Sequence, residues 1–145
     1  MSAPVDLAAL LRAAGDAIVV ADPEGLIRLW NPAAERIFGF TAEEALGRSL
    51  DLIIPERFRA RHWAGYREVM RTGQTRYGSE VLRVPAVGKD GRRISIAFTV
   101  ALLTDTRGRV TGIAALVRDE TRRWEEEQAL RRRLAALEAE RPPSS

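Results

Sequence analysis

The chain has 145 residues, 46% of them hydrophobic and 30% charged, enough for one domain with its own core, too few for two ordinary domains, and too apolar for a disordered chain. Its 23 Lys+Arg against 20 Asp+Glu leave a formal charge of +3, and the pI near 10.1 reflects arginine as the main cation, Lys89 being the lone lysine. The basic residues are scattered instead of massed on one face, so a nucleic-acid partner is not expected. The absence of cysteine excludes disulfides, thiolate metal sites, a thiol nucleophile and flavin chemistry that needs a protein thiol, and the single histidine, His62, centres any metal chemistry on one imidazole.

In chain order, Leu7, Leu10 and Leu11 fall at helical spacing between Val5 and Ala14, with Gly15 as the stop, which predicts a short amphipathic lead-in helix. The same N-terminal stretch lacks the basic region and long apolar run of a signal peptide, and no segment elsewhere approaches membrane-spanning length. A soluble, cytoplasmic chain with no membrane partner is expected. Residues Asp16 to Asp22 and Leu26 to Trp30, joined by Asp22-Pro23-Glu24-Gly25, predict a strand-turn-strand unit. Asn31-Pro32 then reads as an N-cap followed by proline at the first helical position, with Gly39 at the exit. Thr41 and Glu44 make a capping box for a second short helix closing between Ala45 and Gly47.

Leu50 to Ile54 reads as an apolar connector, after which Pro55 opens a long helix to about Arg71, closed by Thr72-Gly73. One stripe of it carries Phe58, His62, Tyr66, Val69 and Met70. Three strands follow: Glu80 to Pro85, Arg92 to Leu103 and Arg109 to Val117. Ile94, Ile96, Phe98, Val100 and Leu102 alternate onto one face of the middle strand, so that face is built to be covered. After Asp119-Glu120-Thr121 the composition turns to Arg, Glu and Leu, with Leu130, Leu134 and Leu137 at four-three spacing, the pattern of a dimerising helix.

This succession resembles the PAS domain over residues 16–121. The residues that carry the resemblance are Asp22-Pro23-Glu24-Gly25, the run Trp30 to Gly39, Gly47-Arg48-Ser49-Leu50, Lys89-Asp90-Gly91 and Asp119-Glu120-Thr121. The last is similar to the Asp-Ile-Thr element that hands such domains over to an output helix, with Glu120 in place of the usual Ile. The resemblance implies an α+β fold: a five-stranded antiparallel sheet with short helices and one long helix on one face. It divides the chain into a lead-in helix (1–15), a sensor domain (16–121), a coiled-coil signalling helix (122–141) and a disordered end (142–145).

The stretch Pro55 to His62, with Thr72-Gly73 closing the helix, resembles the haem-binding PAS subgroup of oxygen-sensor kinases and phosphodiesterases. That resemblance implies haem b with His62 as the axial iron ligand, Leu82, Phe98 and Val100 over the opposite face, Arg76 as a propionate partner and Tyr77 at the haem edge. In that subgroup an arginine on the strand after the long helix serves bound oxygen; here the matching residue is Leu82, with Arg83 one position later. Only a bulge would turn Arg83 inward. From spacing alone, a histidine on an apolar stripe is usually a half-buried core residue, while Arg76 reads equally as a solvated loop cation and Tyr77 as a packing residue.

The implied function is a gas or redox sensor that binds a diatomic ligand (O2, CO or NO) and passes the change to a C-terminal dimerisation helix. Its partners would be a second copy, through the N- and C-terminal helices, and a downstream effector domain or kinase. A cofactor-free interaction module and a non-covalent flavin domain stand as alternatives. Glu35, Glu43, Glu44 and Glu56 read as helix-surface or cap residues with no paired acid and base, so no catalytic site of its own is expected.

Overall fold

The computed structural model describes residues 4–75 and 80–141. The expected disordered end, 142–145, lies outside the described residues. The elements are α1 (Leu7–Ala13), β1 (Ala17–Ala21), β2 (Ile27–Trp30), α2 (Pro32–Phe38), α3 (Ala42–Ala45), a 3₁₀ turn (Leu50–Ile53), α4 (Glu56–Thr72), β3 (Leu82–Val87), β4 (Arg93–Thr104), β5 (Val110–Asp119) and α5 (Thr121–Ala139). The strands form one antiparallel sheet of five in the order β2-β1-β5-β4-β3. The α+β architecture is therefore the expected one.

Local chemistry sets the helix ends. The Asp6 carboxylate accepts from Ala9 N at the start of α1, and Asn31 caps α2 ahead of Pro32. The reciprocal Thr41–Glu44 box opens α3. Gly39 and Gly73 close α2 and α4 at φ +83° and +71°, a region that penalises any residue with a Cβ.

Most elements fall within one or two residues of the sequence expectation, with β5 running on to Asp119 and α5 spanning Thr121–Ala139. The apolar connector after Ser49 coils into a 3₁₀ turn because the Ser49 hydroxyl accepts from Asp51 N. The helix α1 stops ahead of Gly15 as expected, its end set at an extended Ala14. Strand β3 runs from Leu82 to Val87, two residues later than expected, and holds Pro85 opposite Ser95. As the outermost strand, β3 has a side that needs no ladder donor, so the missing proline N–H is tolerated.

The core lies between one sheet face and the short helices, with Ile27, Phe38 and Ile94 fully buried. Trp30 packs on Phe38 with ring centroids 5.4 Å apart and donates its indole N–H to Phe40 O. On β4 the expected face is buried at Ile94 and Ile96 and half-buried at Phe98, Val100 and Leu102. The opposite face is covered too at that end, since Ser95 and Ala97 are buried near the start of α5. There Trp124 lies under the Arg93 guanidinium, 4.1 Å from its ring centroid.

Asn31 binds the segments together. Its buried side-chain oxygen accepts from Ile18 N and Ala34 N, while its amide nitrogen donates to Leu11 O and Asp16 O. Asn31→Ala removes a helix cap and leaves buried main-chain groups unpaired, so we expect a loss of about 3 kcal/mol or more. Asn31→Asp keeps the acceptor bonds and faces two carbonyls with a carboxylate, so it should recover only part of that loss. Urea unfolding of the three proteins checks this, and equal midpoints would refute it.

Candidate functional site

Helix α4 carries His62 and leans on two earlier turns. The Trp63 indole N–H donates to Asp51 Oδ1 at 2.7 Å, and Tyr66 Oη donates to the main-chain oxygen of Asp22. Arg59 donates to Ile54 O and Asp51 O. Gly25, at φ +84°, lies directly under the Trp63 ring, and a Cβ there would stand 2.2 Å from it. The turn is formed by Asp22, whose carboxylate accepts from Glu24 N and Leu26 N and pairs with Arg28. The DPEG turn is thus both a hairpin reversal and the seat of the long helix.

His62 sits on this helix with its ring 4.6 Å from Trp63, edge-on, and 5.7 Å from Tyr66. Its Nδ1 is buried and has no hydrogen-bond partner among the described residues. Burial pushes the imidazole pKa below its ordinary 6.5, while the nearby Asp51 carboxylate opposes the shift. The neutral ring that results is the form able to give a nitrogen lone pair to a ligand.

The strand residues form a second group. Leu82 pairs directly with Phe98, and Phe98 with Val117; Val100 follows two positions on, so all three point to one face. Each is half-buried. The register of β3 on β4 shows no shift from Leu82 to Val87, so no bulge brings Arg83 inward. Its Nε instead pairs with Glu120 Oε2 at 3.2 Å. Arg76 and Tyr77 lie outside the described residues.

The fastening of α4 went unread in the sequence. In the sequence Trp63 shows only as an aromatic residue beside His62, and Asp51 lies inside an apolar run. The available signal was Asp51 itself, a lone carboxylate among Leu50, Leu52, Ile53 and Ile54.

Short helices and one long helix between β2 and β3, with an antiparallel sheet ordered 2-1-5-4-3, are the architecture of one fold family. The chain matches the PAS fold over residues 6–119 and belongs to that family. It is a PAS signalling sensor domain, a regulatory module. It is similar to the sensor protein FixL of Bradyrhizobium diazoefficiens, 41% identical over 56 residues, covering 39% of this chain and 11% of that protein. It is also similar to the oxygen sensor protein DosP of Escherichia coli K12, 28% identical over 112 residues, covering 77% of this chain and 14% of that protein. The chain thus spans a small part of the length of both relatives. Among solved structures, an RNA-binding Light-Oxygen-Voltage receptor superposes with a TM-score of 0.72 at 24% identity, covering 92% of this chain and 41% of that one, a likeness of fold. Among the described residues no helix is long and apolar enough to cross a membrane.

The His62 shift carries a pH prediction. A folded-state pKa below the unfolded 6.5 means the unfolded chain takes up the proton first, so stability is full above about pH 6.5 and falls as pH drops through the folded value. Ordinary carboxylates titrate lower, near pH 4. We expect urea midpoints to decline from pH 7.5 to 5.5 in the wild type and to stay level in His62→Leu. An equal decline in both would show that the ring is solvated.

Proposed function

We propose that this domain is a haem-based sensor of a diatomic gas or of redox state, with His62 as the axial ligand of haem b. The observation that carries the reading is the buried Nδ1 of His62, a polar atom without a hydrogen-bond partner among the described residues. A buried nitrogen of this kind costs stability unless something outside the chain pairs with it. Support comes also from the neutral state that burial imposes on the ring and from the half-buried apolar set Leu82, Phe98 and Val100, suited to a large flat apolar group. The likeness to an oxygen sensor points the same way. These residues fit haem, and Arg76 and Tyr77 would meet its propionate and edge.

When bound, haem would supply an iron able to take O2, CO or NO. The protein's part is separable. Asp51 and the DPEG turn fix α4 through Trp63 and Tyr66 and so hold the ring of His62 in place. Leu82, Phe98 and Val100 keep water away and offer no charged donor, because Arg83 turns to Glu120. In this reading residues 1–15 are a lead-in helix, 16–121 the sensor and 122–141 the signalling helix. The gas is the ligand, and a second copy and a downstream effector or kinase are the protein partners. Leu130, Leu134 and Leu137, all more than half exposed on α5, offer a short seam to the second copy.

The test is an absorption spectrum after haem reconstitution, ferric, dithionite-reduced and with CO, for wild type beside His62→Ala. A sharp Soret band that shifts with CO in the wild type and is lost in the variant is expected. Free-haem spectra from both would make the domain a cofactor-free interaction module, and yellow protein on purification would indicate a flavin. Leu82→Arg places a donor at the apolar face and should raise the O2 to CO affinity ratio about ten-fold, the scale of one charge-assisted hydrogen bond. An unchanged ratio would refute the assignment of that face.

A further inference from the structure

We infer that Arg83 and Glu120 form a latch between the edge of the sheet and the first turn of α5, through which a change at Leu82 reaches the signalling helix. The inference deepens the sensor reading, since it takes the Leu82 face as the ligand-facing one. Leu82 and Arg83 are neighbours on β3, and one step along a strand reverses the face. Leu82 therefore meets Phe98 on one side, while Arg83 reaches Glu120 Oε2 on the other at 3.2 Å. The backbone of Leu82 cannot shift without carrying Arg83 along.

Glu120 is placed to receive that motion. Its side chain is 18% exposed against 58% for Arg83, and its second oxygen lies 3.7 Å from Arg123 of α5. Glu120 does not cap its own helix with that carboxylate, because both oxygens are turned to arginines. Its main chain is tied as well, Glu120 N donating to Ser95 O at 2.7 Å. One residue thus joins β3, β4 and α5.

The surroundings leave room for a second arrangement. A cavity of about 360 Å³ is bounded by Arg83, Ser95, Glu120, Arg123, Trp124 and Glu127, among others. Beside it the Ser95 hydroxyl is buried without a hydrogen-bond partner among the described residues. Open space and an unsatisfied hydroxyl both lower the cost of re-seating the first turn of α5, which a two-state element requires. Arg118, a further cation on which Glu120 acts, is already engaged with Asp16.

The test needs no haem. Amide hydrogen exchange is measured at residues 122–125 in the haem-free whole chain, for wild type, Arg83→Gln, Glu120→Gln and the double variant, and again with Leu82→Phe added to the wild type and to Glu120→Gln. Each single charge variant should speed exchange about two- to five-fold, the scale of one partly exposed ion pair, and the double no more than Glu120→Gln alone, which also releases Arg123. Leu82→Phe should alter exchange at these residues in the wild-type background and have no effect once Glu120 is neutralised. A double variant equal to the product of the singles, or a Leu82→Phe effect that survives Glu120→Gln, would overturn the latch. Should Leu82→Phe not fold, Leu82→Ala makes the same comparison. Because every arm is haem-free, failure of haem to bind would remove the sensor reading while leaving this result to stand on its own.

Discussion

Asn31 is the residue on which the arrangement turns. One buried amide meets the carbonyls of Leu11 and Asp16, the N–H of Ile18 and the N–H of Ala34, so the lead-in helix, the first strand and the second helix share a single side chain. An amide is the only neutral side-chain group that offers two donors and an acceptor with two lone pairs, which is why neither Asp nor Ser would serve. Once α2 is set this way, Trp30 and Phe38 stack and the core beneath the sheet closes around them.

Helix α4 is held differently. Its one fully buried residue, Tyr66, is not among the residues of that core, and the contacts that define its seat are directed: indole to Asp51, phenol to Asp22 O, guanidinium to Ile54 O. Elements fixed by a few hydrogen bonds, with little shared apolar packing, sit at the low end of local stability, where ligand-responsive segments are found. The helix bearing His62 is thus held more loosely than the core that closes around Trp30 and Phe38.

Much of this was legible in the residues. The caps at Asn31 and Thr41, the glycine exits and the alternation on β4 depend on local chemistry and period, which a sequence displays, and the PAS fold followed from their order. The direction of Arg83 was legible as a conditional, because strand alternation sends Leu82 and Arg83 to opposite faces unless a bulge intervenes, and whether one does depends on pairing across strands. Asp51 and Gly25 were opaque for a related reason: each matters through a tryptophan on a later helix. Long-range partners of this kind are chosen by the assembled fold, and no spacing rule announces them. The same applies to Ser95, on the face opposite Ile94 and Ile96, which is buried near the start of α5.

The passage from sheet to helix at Asp119 to Thr121 shows how a short motif can be mechanical. Strand β4 extends past the end of its pairing with β5, leaving Ser95 with a main-chain N–H and C=O that the ladder would have served. Glu120 N takes the carbonyl, and the Thr121 hydroxyl takes the N–H at 3.1 Å, standing in for the strand carbonyl that the turn into the helix has removed. Asp119 Oδ1 accepts from both the N–H and the hydroxyl of Thr121, which fixes the hydroxyl proton and leaves its oxygen free to accept from Ser95. The first residue of α5 is therefore also the last rung of the sheet. A helix joined in this way cannot turn independently of β4, and with Glu120 fastened to Arg83 it cannot turn independently of β3 either. The domain then has a physical route from either strand of its candidate site to the helix that leaves it.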